Sequence, residues 1–198
     1  MATGHAGRLD EQLPAARRVY VANHSSPLDI AAMLVACPDA TFVAGVDLYR
    51  VPLLAGAMRA FGTVPVDRQS HERVRLCVPA DQVTDELSLV VFPEGSIAPV
   101  GRRMPFKRSA FAVAIELEAE VVPVAIHHTS RVLPPSARLG VRPGTVAVEV
   151  LAPISTGGLT LDDRGALAAA AERCILNALD TEDGGIEPYH RRWAISGR

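Results

Sequence analysis

The stretch that decides the fold reads RVYVANHSSPLDIAAMLVAC and runs from Arg18 to Cys37. Its opening residues, Arg18–Ala22, are rich in β-branched and aromatic side chains, which is typical of a strand. Ser26 is a good N-cap and Pro27 is favoured at the first helical position, so a helix is predicted over Leu28–Cys37. A strand that leads directly into a helix is a common unit of α/β domains.

The same alternation continues along the chain. Further strands are predicted at Thr41–Ala44, Thr63–Val66, Ser88–Phe92, Val121–Ile126 and Thr145–Val150. Further helices are predicted at Val51–Phe61, Ser70–Glu86, Phe106–Glu118 and Leu161–Leu179. Strands separated by helical crossovers indicate one α/β domain over residues 1–198, with a mainly parallel central sheet flanked by helices. In such sheets the chemistry usually lies at the carboxyl ends of the strands.

The composition excludes several classes of function. The net charge is −2 and no long basic run is present, which argues against a nucleic-acid partner. No apolar run approaches the roughly 20 residues of a membrane-spanning helix, so we expect a protein that is soluble or lies on a membrane surface. The three cysteines, Cys37, Cys77 and Cys174, fit neither a disulfide framework nor a metal site, and we interpret them as buried thiols of a cytoplasmic protein.

His24 and Asp29 form an H-x4-D pair across the start of the first predicted helix. The turn before that helix allows Asp29, in the first helical turn, to fold back toward His24. A neutral imidazole can then take a proton from a hydroxyl while the carboxylate fixes the tautomer and stabilises the imidazolium. The run from Ser26 to Asp29 also fits a capping box, which would explain Asp29 without catalysis, and the two roles are compatible.

Three further motifs are associated with predicted strands. Gly62–Arg68 (GTVPVDR) places a guanidinium just past a strand, where it can bind a phosphate or a carboxylate. Phe92–Ser96 (FPEGS) presents one carboxylate beside a glycine that allows close approach of a ligand to the backbone. Val121–Ile126 (VVPVAI) is a strand interrupted by proline. Taken singly, these motifs also fit a surface ion pair, a plain turn, and a core or edge strand.

In this order and spacing, the four motifs resemble the glycerolipid acyltransferase family, typified by 1-acylglycerol-3-phosphate (lysophosphatidate) acyltransferases. The resemblance runs from about Val19 to Leu179 and includes Gly101–Phe111, which resembles the segment after the family's third motif. It implies a glycerol-3-phosphate acyltransferase-like fold. It also implies transfer of a fatty acyl group from acyl-CoA or acyl carrier protein to the hydroxyl of 1-acylglycerol-3-phosphate or a similar lysophospholipid, with neither a cofactor nor a metal.

The resemblance also assigns roles to individual residues. It makes His24 the general base and Asp29 its orienting partner. Pro123 belongs to a motif linked to acyl-donor binding or packing. Arg68 is expected to contact the acceptor phosphate. The full set assigned to acceptor binding is Gly62, Arg68, Glu94 and Gly95.

The chain departs from the family pattern at two places. The family's third motif commonly reads Glu-Gly-Thr-Arg, but here Ser96 and Ile97 follow the glycine, so one expected phosphate contact is missing. Arg102 and Arg103 are candidates to replace it. His128 stands where a small residue is common.

Several functions therefore stay open. The missing arginine leaves room for the same chemistry on a non-phosphorylated acceptor in specialised metabolism. A non-catalytic lipid-binding module and a thioesterase-like hydrolase are also compatible with the sequence. For the acyltransferase we expect a cytoplasmic location, peripheral to the inner face of the cell membrane. The apolar stretch Val51–Met58 is either a lipid-contacting segment or part of a core helix.

Overall fold

The computed structural model describes residues 17–38, 40–45, 63–66, 88–99, 102–135, 140–180 and 191–196. The strands are β1 (Arg18–Ala22), β2 (Thr41–Gly45), β3 (Val64–Val66), β4 (Ser88–Val91), β5 (Glu120–His127), β6 (Thr145–Val150) and β7 (Arg191–Ser196). The helices are α1 (Leu28–Ala36), α2 (Ser109–Glu116), α3 (Thr129–Val132) and α4 (Arg164–Asp180). The 3₁₀ turn Leu161–Asp163 leads into α4. Within the described ranges, no helix is both long and apolar enough to cross a membrane.

The strands form one sheet in the order β3-β2-β4-β1-β5-β6-β7. Strands β3, β2, β4, β1 and β5 run parallel, whereas β6 and β7 are added antiparallel to their neighbours. Strand β1 lies between β4 and β5, and all five of its residues are buried. The expected α/β fold with a mainly parallel sheet is therefore confirmed.

Helices cover both faces of the sheet. Alternate residues of β1 point to opposite faces, as a strand requires: Val19 and Val21 join the core beneath α2 and α4, and Tyr20 and Ala22 join the core beneath α1. Parallel strands buried on both faces read as continuous apolar runs, which is why β1 and β5 carry so few polar residues.

The predicted bounds fail where long-range contacts decide the local structure. Helix α2 begins at Ser109 and not at Phe106, because Lys107 donates its backbone N–H to Pro93 O at 2.9 Å and holds the preceding segment against the motif after β4. Helix α3 and strand β7 were not predicted. The helices predicted at Val51–Phe61 and Ser70–Glu86 lie outside the described residues.

Pro123 lies in an inner strand, so the edge-strand interpretation of its motif is wrong. Proline is tolerated there because the pairing is broken beside it. Val121 pairs with Ile154, whereas the regular pairing of β5 with β6 begins at Val124 and Val150. The segment between Val150 and Ile154 therefore has one residue more than the segment of β5 that faces it. Pro123 O accepts the N–H of Leu151 at 2.9 Å, so the proline keeps one hydrogen bond to this segment, and the N–H that it lacks falls beside the irregular pairing.

The sequence predicts that all three cysteines are buried, but the structure shows one of them exposed. Cys37 is buried below α1, but Cys174 is exposed on α4. Neither of these two described cysteines forms a disulfide. The interpretation as buried thiols is therefore wrong for Cys174, while Cys77 lies outside the described residues.

Candidate active site

A cavity of about 760 Å³ opens where β1, β4 and β5 end. The loop after β1 contributes His24, and the segment after β4 contributes Glu94 and Arg102. Arg131 follows β5, and Ile175 lies on α4. Because parallel strands present their carboxyl ends at one edge of the sheet, motifs far apart in the chain meet here.

The H-x4-D pair is assembled at this cavity. His24 Nδ1 lies 2.9 Å from Asp29 Oδ2, and the Asp29 side chain is fully buried. A carboxylate only accepts, so the hydrogen bond places the imidazole proton on Nδ1 and leaves Nε2 without one. The His24 ring stacks on Phe92 with centroids 4.1 Å apart and an interplanar angle of 18°. The imidazole is thus held on one edge and one face.

Asp29 also organises the loop that carries His24. Its Oδ2 accepts the backbone N–H groups of Ser25 at 2.6 Å and Ser26 at 2.8 Å. The bond to Ser26 is one half of a capping box, but Ser26 Oγ accepts from Leu28 N at 3.1 Å and not from Asp29 N. The same carboxylate oxygen therefore shapes the turn and binds the imidazole. Asp29 Oδ1 is buried and accepts no hydrogen bond from any described residue.

Asn23 joins the loop to the sheet where β1 ends. Its side chain donates to Ile126 O at 2.9 Å and accepts from Ile126 N at 2.8 Å. The amide thus takes the place of backbone pairing with β5, and the main chain is released to turn toward His24. A polar residue directly after a strand was the only signal for this contact in the sequence, and the role of Asn23 was not predicted.

Glu94 supports His24 from the neighbouring motif. Its Oε1 accepts the backbone N–H of His24 at 2.8 Å, and the residue is only 5% exposed. Ala98 N donates to His24 O at 2.8 Å, so both backbone groups of His24 are bound by this segment. Gly95 has φ +77°, a left-handed conformation that favours glycine. The predicted residues His24, Asp29, Glu94 and Gly95 are therefore brought together.

Burial raises the pKa of the Glu94 carboxyl above its usual value, because desolvation outweighs the backbone hydrogen bonds from His24 and Met104 that favour the charged form. Its second oxygen, Oε2, is buried and accepts no hydrogen bond of good geometry from the described residues. Ionised Glu94 is therefore a cost to the folded state that protonation relieves. The stability linked to this group is present below its ordinary pKa and is lost as the pH rises through the folded pKa.

We expect Glu94→Gln to gain stability relative to the wild type as the pH rises from 4 to 7. The amide keeps an acceptor for His24 N–H and carries no charge to bury. Urea unfolding at both pH values measures the difference. Asp163→Asn is the control of opposite sign and is measured at lower pH. Hydrogen bonds from Thr160 lower the pKa of Asp163, so that variant should lose relative stability as the pH rises from the lowered pKa past the usual value of 3.8, and should change little above it. An identical Glu94→Gln difference at pH 4 and pH 7 would contradict the assignment.

The remaining predicted residues are placed as follows. Pro123 is buried within the sheet, upstream of the cavity-lining Ile126, a position that fits packing. Gly62 and Arg68 lie outside the described residues. Arg102 and Arg103, the candidates to replace the missing arginine, both line the cavity. Arg103 NH2 is bound to Asp180 Oδ1 at 2.6 Å.

Several known proteins are similar to this chain in sequence. The acyltransferase family model matches residues 8–127. The chain is 31% identical over 162 residues to the 1-acyl-sn-glycerol-3-phosphate acyltransferase alpha of Mus musculus, covering 80% of this chain and 57% of that protein. It is 33% identical over 176 residues to the 1-acyl-sn-glycerol-3-phosphate acyltransferase of Saccharomyces cerevisiae, covering 86% of this chain and 58% of that protein.

A solved structure gives the same fold. The crystal structure of the 1-acyl-sn-glycerophosphate acyltransferase PlsC from Thermotoga maritima superimposes with a TM-score of 0.66 at 21% identity, covering 90% of this chain and 71% of that one. The chain spans less than two thirds of the length of the two curated relatives above. Because the family model covers more than half of the sequence, the chain belongs to the acyltransferase family.

Proposed function

We propose that the chain transfers a fatty acyl group from a thioester to the hydroxyl of 1-acylglycerol-3-phosphate or a similar lysophospholipid. The observation that carries the proposal is the His24–Asp29 hydrogen bond of 2.9 Å at the edge of a cavity lined by arginines. The names of the curated relatives from Mus musculus and Saccharomyces cerevisiae support this choice of acceptor.

The reaction follows from the tautomer of His24. Nε2 takes the proton of the acceptor hydroxyl, and the oxygen attacks the thioester carbonyl. The tetrahedral intermediate collapses by breaking the carbon–sulfur bond, and the departing thiolate takes the proton back from the imidazolium. Asp29 stabilises the imidazolium between these steps and keeps Nε2 directed at the substrate. No covalent acyl-enzyme is formed, so neither a serine nor a cysteine nucleophile is needed.

The donor is proposed to be acyl-CoA or acyl carrier protein, since both present the thioester that this chemistry requires. The proton transfers are supplied by His24 and Asp29, so the proposed reaction uses no cofactor or metal ion. An unphosphorylated acceptor is the second candidate, and Ile97 at the usual arginine position favours it.

Release of free thiol from acyl-CoA tests the class of reaction. An acyltransferase should release thiol only when 1-acylglycerol-3-phosphate or a monoacylglycerol is added, and mass spectrometry should detect the diacylated product. Release without an acceptor would indicate a hydrolase, and no release under any condition would indicate a binding module. A lower KM for 1-acylglycerol-3-phosphate than for the monoacylglycerol would identify the phosphorylated acceptor as the substrate. Arg68→Ala should then raise that KM roughly tenfold or more.

The protein is proposed to work at the inner face of the cell membrane as a peripheral protein, because its acceptor is a lipid. Two apolar regions are candidates to touch the bilayer: Val51–Met58 and the outer side of α1, where Ile30 is 43% and Val35 60% exposed. Liposome flotation of Leu53→Asp and of Val35→Asp tests them separately. Unchanged binding of either variant would clear that region of a membrane role.

A further inference from the structure

The cavity carries more positive charge than the four motifs explain. Arg102, Arg103 and Arg131 all line it, and only Arg103 is committed to an ion pair, with Asp180 at 2.6 Å. Among the described residues, neither Arg102 nor Arg131 has a hydrogen-bond or ion-pair partner for its guanidinium. Two arginines from separate segments are therefore available to an anion that enters the cavity.

Arg131 is held in a fixed relation to His24 by the loop that contains the base. Ser25 Oγ lies 3.2 Å from Thr129 Oγ1, and Ser26 Oγ donates to Leu133 O at 2.7 Å. These two hydrogen bonds connect both ends of the α3 region to the residues that follow His24. Helix α3 is therefore bound directly to the loop that carries His24.

The backbone at the start of α3 indicates that this turn is specified. His128 adopts φ 65°, the left-handed region that is uncommon for residues other than glycine. Its carbonyl accepts the N–H of Arg131 at 2.9 Å. A conformation that costs energy persists only where its surroundings impose it, and such positions concentrate at functional sites. Arg131, three residues further on, lines the cavity.

We propose that Arg131 and Arg102 bind the phosphate of the acceptor, in the role left vacant by Ile97, an inference that rests on the proposed function. The free hydroxyl of 1-acylglycerol-3-phosphate is on the carbon next to the one that bears the phosphate. A phosphate site must therefore lie in the same cavity as His24, as these arginines do. Guanidinium groups bind phosphate through paired, charge-assisted hydrogen bonds.

The test compares Arg131→Ala, Arg131→Lys and Arg102→Ala with the wild type on two acceptors, 1-acylglycerol-3-phosphate and monoacylglycerol. Arg131→Ala should raise KM for the phosphorylated acceptor by roughly ten- to a hundredfold, change kcat little, and leave KM for monoacylglycerol nearly unchanged. Arg131→Lys keeps the charge and should recover part of the loss. Arg142→Ala is the matched control, because Arg142 is exposed and does not line the cavity.

The donor is a second source of phosphate, so each variant is also assayed with an acyl thioester of N-acetylcysteamine, which has none. The KM effect on the acceptor should persist with this donor. If the effect vanished with it, or if only the KM for acyl-CoA rose, the arginines would serve the donor and the proposal would fall. An equal rise for both acceptors, or an equal loss in Arg142→Ala, would also overturn it.

Binding of sn-glycerol 3-phosphate, measured by calorimetry, separates this inference from the proposed function. Wild-type binding that Arg131→Ala weakens at least tenfold supports the phosphate site even if no acyl transfer is found. Acyl transfer to 1-acylglycerol-3-phosphate with an unchanged KM in Arg131→Ala supports the proposed function and overturns the site. Thermal unfolding of each variant verifies that the fold is retained.

Discussion

We expect His24→Ala to lower kcat for acyl transfer by about 10²–10⁴-fold, because it removes the base that we propose takes the hydroxyl proton. Initial rates of thiol release at saturating donor and acceptor measure the loss. The variant should remain folded, since the loop is held by Asp29 and Glu94 through backbone groups that alanine retains.

His24→Gln is the matched variant. Its amide keeps the polarity of the side chain and can still donate to Asp29, but it cannot act as a base near neutral pH. We expect the same large loss as for alanine, with a smaller change in thermal stability. If either folded variant kept transfer within a few fold of the wild type, His24 would not be the base.

Asp29→Asn should lower kcat on the order of 10²–10⁴-fold while leaving the fold nearly unchanged. The asparagine oxygen can still accept the N–H groups of Ser25 and Ser26, so the turn is preserved. The amide carries no charge and cannot stabilise an imidazolium, although an oxygen placed where Oδ2 is now still accepts from His24 Nδ1. Steady-state kinetics and thermal unfolding, run in parallel, separate the two effects.

Asp29→Ala is the contrasting variant, because it removes the acceptor as well as the charge. Two backbone N–H groups then lose their bond, and each buried one costs about 1–3 kcal/mol. Asp29→Ala should therefore unfold at a lower urea concentration than Asp29→Asn, although both lose activity. Equal stability of the two variants would mean that water or another group replaces the carboxylate in the turn.

Local patterns predicted the parts of the fold that depend on local forces. The strand–turn–helix unit from β1 to α1 follows from apolar periodicity and from Ser26 and Pro27, and the structure has it within a residue of the predicted bounds. Long-range contacts decided what was missed. The helix predicted from Phe106 begins only at Ser109, because the segment before it is held by a backbone bond from Lys107 N–H to Pro93 O, which no local pattern reveals.

The residues of the candidate site also differ in whether local sequence or long-range contacts determine their positions. The contact between His24 and Asp29 was predicted, because the turn that brings them together is encoded between them. The position of Arg131 was not, because it follows the last recognised motif. It reaches the cavity through hydrogen bonds from Ser25 and Ser26 to the α3 region, more than a hundred residues away in sequence. Such a residue is found only after the sheet has been assembled.

The central place of β1 has a consequence for the order in which the protein folds. The loop that follows β1 is joined to the neighbouring strands across long stretches of chain: Asn23 is bonded to Ile126 across 103 residues, and His24 to Glu94 across 70. Closing such loops is slow, since their entropy is lost before the contacts form. The His24–Asp29 turn can form early, but its supports arrive only when β4 and β5 enclose β1. Activity should therefore return in refolding together with the last, global phase, and no partly folded intermediate should transfer an acyl group.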